Sequence, residues 1–148
     1  MGHTRLEIQS SKKVKLEGII GLPDGTLTSP PVSVLCHSHP MLGGDMENDL
    51  ISAIDSSCIK KDIACLRFNF RGVGESTGAF SSGKREQDDL LAALKILNYL
   101  RWTDSNLQSA IGHSFGASVL LKSLRRLKSI KAMVLISPPL SSLNISML

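Results

Sequence analysis

Four short apolar runs recur along this chain, each separated from the next by enough residues for one helix: VSVLC at 32–36, IACLRFNF at 63–70, LQSAIGH at 107–113 and KAMVLIS at 131–137. Runs of this length, rich in β-branched residues and bounded by Gly, Pro, Ser or Asp, read as buried strands. The segments between them read as helices. From Asp45, available as an N-cap, the positions Leu50, Ile54, Ser57/Cys58 and Lys61 follow helical spacing. Residues 86–101 place Leu90, Leu94, Leu97 and Arg101 on one face, with acidic residues at the start where the helix dipole favours them. A third helix is expected over 115–128. Ahead of the first run, 4–9 and 14–22 flank the turn SSKK as a hairpin. The order hairpin, β, α, β, α, β, α, β predicts an α/β fold in one domain over 1–148. Its sheet is mostly parallel with right-handed crossovers, an N-terminal antiparallel hairpin and helices on both faces. In such sheets ligands bind at the carboxyl ends of the strands, where the three most distinctive loops of this chain fall.

The first of these is AIGHSFGASVLL at 110–121, in which Ser114 stands in the pattern Gly-x-Ser-x-Gly. The bare pattern is weak, but here it follows a predicted strand and opens a predicted helix, the context of a nucleophile elbow. A side chain at Gly112 or Gly116 would collide with neighbouring backbone in so tight a turn. Strain then holds the Ser114 hydroxyl out of the sheet, over a helix N-terminus that favours negative charge. The plainer alternative is an ordinary β-to-α turn with a serine N-cap.

The second loop is CHSHPMLGGD at 36–45. Acyl transfer needs two backbone N–H groups aimed at the developing oxyanion, one from the residue after the nucleophile and one from the loop after the third strand. Phe115 supplies the first, and His39 is the choice for the second. His37 and His39 also project to one side of an extended segment that His113 could approach. Without an acidic or cysteine ligand at suitable spacing, the three imidazoles are read as structural, with no metal or other cofactor.

Two motifs in the third loop, 71–85, are decoys. GVGEST has Thr77 where the dinucleotide fingerprint needs its third glycine. GAFSSGKR, 78–85, has Arg85 where a phosphate-binding loop needs Ser or Thr, and its leading strand ends too early.

Composition narrows the partners. Net charge is +4, with basic residues scattered except in KSLRRLKSIK at 122–131, which reads as a solvated helix end. Aromatic residues make up 4% of the chain, too few to offer stacking platforms, so nucleic acid is not expected as a partner. No apolar run approaches membrane-spanning length, the start MGHTRLEIQS lacks a signal-peptide core, and Leu6 breaks the myristoylation pattern. The odd set Cys36, Cys58 and Cys65, without C-x-x-C spacing, points to free thiols in a reducing compartment. A cytoplasmic protein with no membrane partner is the resulting expectation, and the elbow and oxyanion loop point to a small-molecule acyl substrate.

The stretches HSHPMLGGDMEN, LRFNFRGVGESTG and IGHSFGAS, in that order and spacing, resemble small bacterial and archaeal α/β-hydrolases of the dienelactone-hydrolase-like and serine-aminopeptidase-like groups. The resemblance runs from about residue 6 to residue 140. It implies Ser114 as nucleophile with the His39 and Phe115 N–H groups as oxyanion hole. It also implies that FRGVGES walls the site, with Arg71 and Gly72 architectural. One departure stands out. In this fold the triad runs Ser, then Asp or Glu, then His, yet nothing after Ser114 is Asp, Glu or His. Two expectations follow: the chain is the N-terminal portion of a longer hydrolase, lacking the last strands, or it is a non-catalytic binding module. The intact elbow and oxyanion loop favour the first. In either case strand 131–137 is expected to expose an apolar edge that invites self-association.

Overall fold

The computed structural model describes residues 2–25, 28–139 and 141. Its six strands are β1 (Gly2–Ser11), β2 (Val14–Leu22), β3 (Val32–Cys36), β4 (Ala64–Phe68), β5 (Gln108–His113) and β6 (Ile130–Ile136). They form one sheet in the order β1-β2-β4-β3-β5-β6. The β1–β2 and β2–β4 pairs are antiparallel, and β4–β3, β3–β5 and β5–β6 are parallel. This is the mostly parallel α/β sheet with an antiparallel hairpin that the sequence pattern implies.

Three helices, α1 (Asp49–Ile59), α2 (Glu86–Leu97) and α3 (Phe115–Ser123), cover the two faces. The larger core lies between the sheet and the α2/α3 pair, where Leu66, Phe68 and Phe70 meet Leu90, Leu97, Val119 and Leu120. On the other face Ile51 of α1 packs on Leu35 and Cys65, with Cys58 at the margin. Cys36 and Cys65 are buried, Cys58 is half-buried, and all three are free. Among the described residues no helix is long and apolar enough to cross a membrane.

Several boundaries differ from the sequence reading, each for a local reason. The cap of α1 is Asn48, whose Oδ1 accepts from Ile51 N at 3.0 Å, and not Asp45. Asp45 instead accepts from Glu47 N in the preceding turn. The buried stripe of α1 is therefore Ile51, Asp55 and Ile59, while Leu50 faces solvent. Strand β4 stops at Phe68 because the Phe70 N–H leaves the sheet to donate to His37. Helix α2 ends at Leu97, so Arg101 lies beyond it, exposed. Helix α3 tightens into a 3-10 turn over Leu124–Arg126 instead of running to 128.

Strand order places the site. The chain moves from β3 to its neighbour β4, then crosses back to the other side of β3 for β5. Crevices in open α/β sheets form where the direction of winding reverses in this way. Here the reversal brings the carboxyl ends of β3 and β5 side by side, with Cys36 paired to Gly112.

Candidate active site

Beyond that paired end, β5 turns abruptly into α3. Ser114 occupies the turn at φ 52° and ψ −108°, a left-handed conformation that L side chains rarely adopt. Its N–H donates to Ile136 O at 2.9 Å and its carbonyl accepts from Ser118 N at 3.1 Å, so both backbone groups are fixed. No side-chain capping bond is made, which distinguishes the turn from an ordinary serine N-cap. The tightness is steric. A Cβ on Gly112 would lie 2.6 Å from Ala117 N, and one on Gly116 would enter the carbonyl of Cys36. Neither obstacle is a movable side chain.

The loop after β3 is held as firmly. His37 is fully buried; its Nδ1–H donates to Ser38 O at 2.7 Å and its Nε2 accepts from Phe70 N at 3.1 Å. Burial outweighs the Ser38 bond and the attraction of Asp45, and pushes the imidazole pKa down from 6.5 to about 4. This ring therefore stays neutral and structural. The His39 carbonyl accepts from both Leu42 N and Gly44 N at 3.0 Å, and its Nδ1 accepts from Met41 N at 3.2 Å. The His39 ring stands edge-on to Phe115 at 5.3 Å and tilts over Phe80 at 5.1 Å. Outside the helix and sheet ladders, neither the His39 nor the Phe115 N–H donates to a backbone carbonyl among the described residues.

His39, Phe80, Ser114 and Phe115 share a cleft of about 310 Å³ that Ser82, Ser118 and Lys122 also line. The sequence reading brought His39 of the second loop, and Ser114 and Phe115 of the first, to this crevice but missed Phe80 and Lys122. A signal for Lys122 was present: Ser114, Ser118 and Lys122 recur every four residues, which puts them on one helix face. Phe80 belongs to the long loop after β4, and no local pattern announces its inward turn.

That loop owes its shape to buried charge. Arg71 and Asp89 are both buried and joined by bonds of 2.7 to 3.2 Å, with Ser10 Oγ donating to Asp89 at 2.6 Å. Arg71 is thus an architectural clamp from the loop to α2. Further on, the Ser81 N, Ser81 Oγ and Gly83 N donors all go to the Glu86 carboxylate. In GAFSSGKR, two loop amides that a phosphate would need are therefore already taken.

The remaining imidazoles lie elsewhere. His3 Nε2 meets Asp55 at 2.7 Å on the α1 side. His113 follows Ile111 in the strand's alternation onto that same side, away from the α3 helix. No three His, Cys, Asp or Glu residues come together as a metal cluster among the described residues.

No family model matches the chain. An uncharacterized protein of Rickettsia prowazekii is 35% identical over 121 residues, taking in 79% of this chain and 50% of that protein. A lidless α/β serine hydrolase from Xanthomonas campestris superposes with a TM-score of 0.81 at 32% identity, over 93% of this chain and 62% of the other. An α/β serine hydrolase homologue from Coxiella burnetii gives 0.81 at 30% identity, over 95% and 65%. An esterase from Pyrococcus furiosus gives 0.79 at 27%, over 93% and 52%. The chain spans 50% of the curated relative's length and 52 to 65% of these solved structures.

Proposed function

Because this chain is an α/β-hydrolase in fold and in its structural relatives, we propose that it carries the nucleophile and oxyanion half of a serine hydrolase. The substrate class is an ester, thioester or peptide-like acyl bond. Ser114 Oγ attacks the acyl carbon and gives up its proton to a general base. The carbonyl oxygen takes up the electron pair and accepts hydrogen bonds from the Phe115 and His39 N–H groups. Collapse of the adduct breaks the bond to the leaving group, which departs with a proton, and water then cleaves the acyl-Ser114 ester.

The observation that carries this reading is the left-handed Ser114 between two glycines that backbone packing keeps bare. Such strain at a non-glycine residue persists only where the surroundings over-determine it, and it costs on the order of 1–3 kcal/mol.

None of the four histidines stands ready as the base. His37 is committed to Phe70 and Ser38, His39 to Met41, and His3 and His113 lie on the α1 side. The acid and base in this proposal come from outside the 148 residues. The same lack of a base favours a second reading, a binding module that uses the crevice without chemistry.

A fluorophosphonate probe separates the two readings. Intact mass is measured after reaction with the full gene product and with its Ser114→Ala variant. A single adduct that vanishes in the variant supports the hydrolase. A folded protein that gains no adduct, or gains the same one in both forms, overturns it in favour of the binding module.

A further inference from the structure

The cleft beside Ser114 is aromatic and hydroxylic on most of its wall, and among the described residues its only charged member is Lys122. This lysine is exposed to solvent where it lines the cleft, and its ammonium is anchored to the adjoining turn. Its Nζ donates to Ser82 O at 3.3 Å. A Cβ on Gly83 would fall 2.9 Å from that Nζ and 3.6 Å from Phe115 Cε2, so the missing side chain at Gly83 is what lets the ammonium lie against the turn beside the ring. The turn is shaped for this by left-handed Ser82 and Gly83, at φ 55° and 80°.

Among the described residues no carboxylate pairs with Lys122. Glu86, the acid nearest in sequence to the 82–83 turn, is spent on the Ser81 and Gly83 donors, and Asp88 of the same helix pairs with Arg126 at 2.9 Å. An ammonium has three donors, and the Ser82 carbonyl takes one.

Geometry sets the reach. Eight helical residues separate the Cα atoms of Ser114 and Lys122 by about 12 Å along the axis. Helical side chains lean toward the N-terminus, so the lysine stem brings the ammonium back by roughly half of that distance. A carboxylate that meets it stands about four to six bonds from a carbonyl carbon held at Ser114 Oγ.

We propose that Lys122 is a specificity-determining residue that selects acyl substrates carrying a carboxylate about four to six bonds from the scissile carbonyl. This rests on the reading of Ser114 as nucleophile, and the test keeps the two apart. Binding of monomethyl glutarate and of uncharged methyl butyrate to the Ser114→Ala full-length protein is measured by NMR titration, with Lys122 intact or changed to Met or Arg. The charged ester is expected to bind about fivefold more tightly than the neutral one at low salt, an advantage that fades as salt is added. Lys122→Met should erase the preference and Lys122→Arg should keep most of it. Equal binding of the two esters, no binding of the charged ester at millimolar concentration, or a preference that survives in Lys122→Met overturns the proposal. Fluorophosphonate labelling of the protein with Ser114 present is scored separately. A carboxylate preference without labelling removes the hydrolase and keeps the anion site, whereas labelling without a preference does the reverse.

Discussion

Acidification should weaken this fold through one imidazole, His37. The ring is fully buried at the end of β3, and its Nε2 must be unprotonated to accept the Phe70 N–H. A proton there would set two donors against each other. The folded pKa, about 4, lies below the 6.5 of an ordinary histidine. The unfolded chain therefore takes up the proton first, and stability that is complete above about pH 6.5 drains away as pH falls toward 4. The gap corresponds to about 3 kcal/mol, a large share of the stability of a small domain. Urea unfolding of the wild type and of His37→Gln, from about pH 7.5 to about pH 4, isolates the contribution. Carboxylates titrate in both proteins and cancel in the difference. The wild-type advantage over the variant should shrink by about 3 kcal/mol across that range. A difference that stays constant with pH would show that the ring does not titrate as its burial dictates. The loop that His37 ties to Phe70 continues directly into His39, so fluorophosphonate labelling should fall along the same acid limb.

Three further outcomes are expected. Ser114→Gly should relieve the left-handed strain and raise stability by about 1 kcal/mol in thermal melts, while removing all labelling; unchanged or lower stability would mean that the turn is not strained. Asp89→Asn leaves Arg71 buried without its carboxylate and should cost about 3–5 kcal/mol in denaturant titrations, which a loss below 1 kcal/mol would contradict. Strand β6 pairs only with β5 among the described residues and leaves Val134 49% exposed. The 148-residue chain should therefore self-associate in sedimentation, Val134→Lys should shift it toward monomer, and a wild-type monomer at all concentrations would remove the edge as an interaction site.

Labile details aside, the sequence by itself determined what depends on near neighbours. The four apolar runs, the hairpin and the helical stripes are local periodicities, and they translate into strands and helices within a few residues of the expected bounds. The elbow was legible for the same reason. Gly112 and Gly116 are constrained chiefly by backbone within five residues or on the adjoining strand end, so the pattern around Ser114 already implies the tight turn. Even the missed cap of α1 was a local choice between Asp45 and Asn48, decided by which side chain the preceding turn had already consumed.

What only the tertiary structure decided is everything that joins distant segments. That β5 returns to the far side of β3 follows from how the helices pack on the two faces, and that return puts His39 beside Ser114. His37 became a structural ring because Phe70, 33 residues away, brings its N–H to it. Lys122 read as part of a solvated helix end, and it is exposed, but the turn at Ser82 and Gly83, 40 residues earlier, folds against its ammonium and makes this surface charge also line the cleft. Periodicity records which way a side chain faces. It does not record what lies opposite, because that is set by packing between elements whose separation in sequence leaves no local trace.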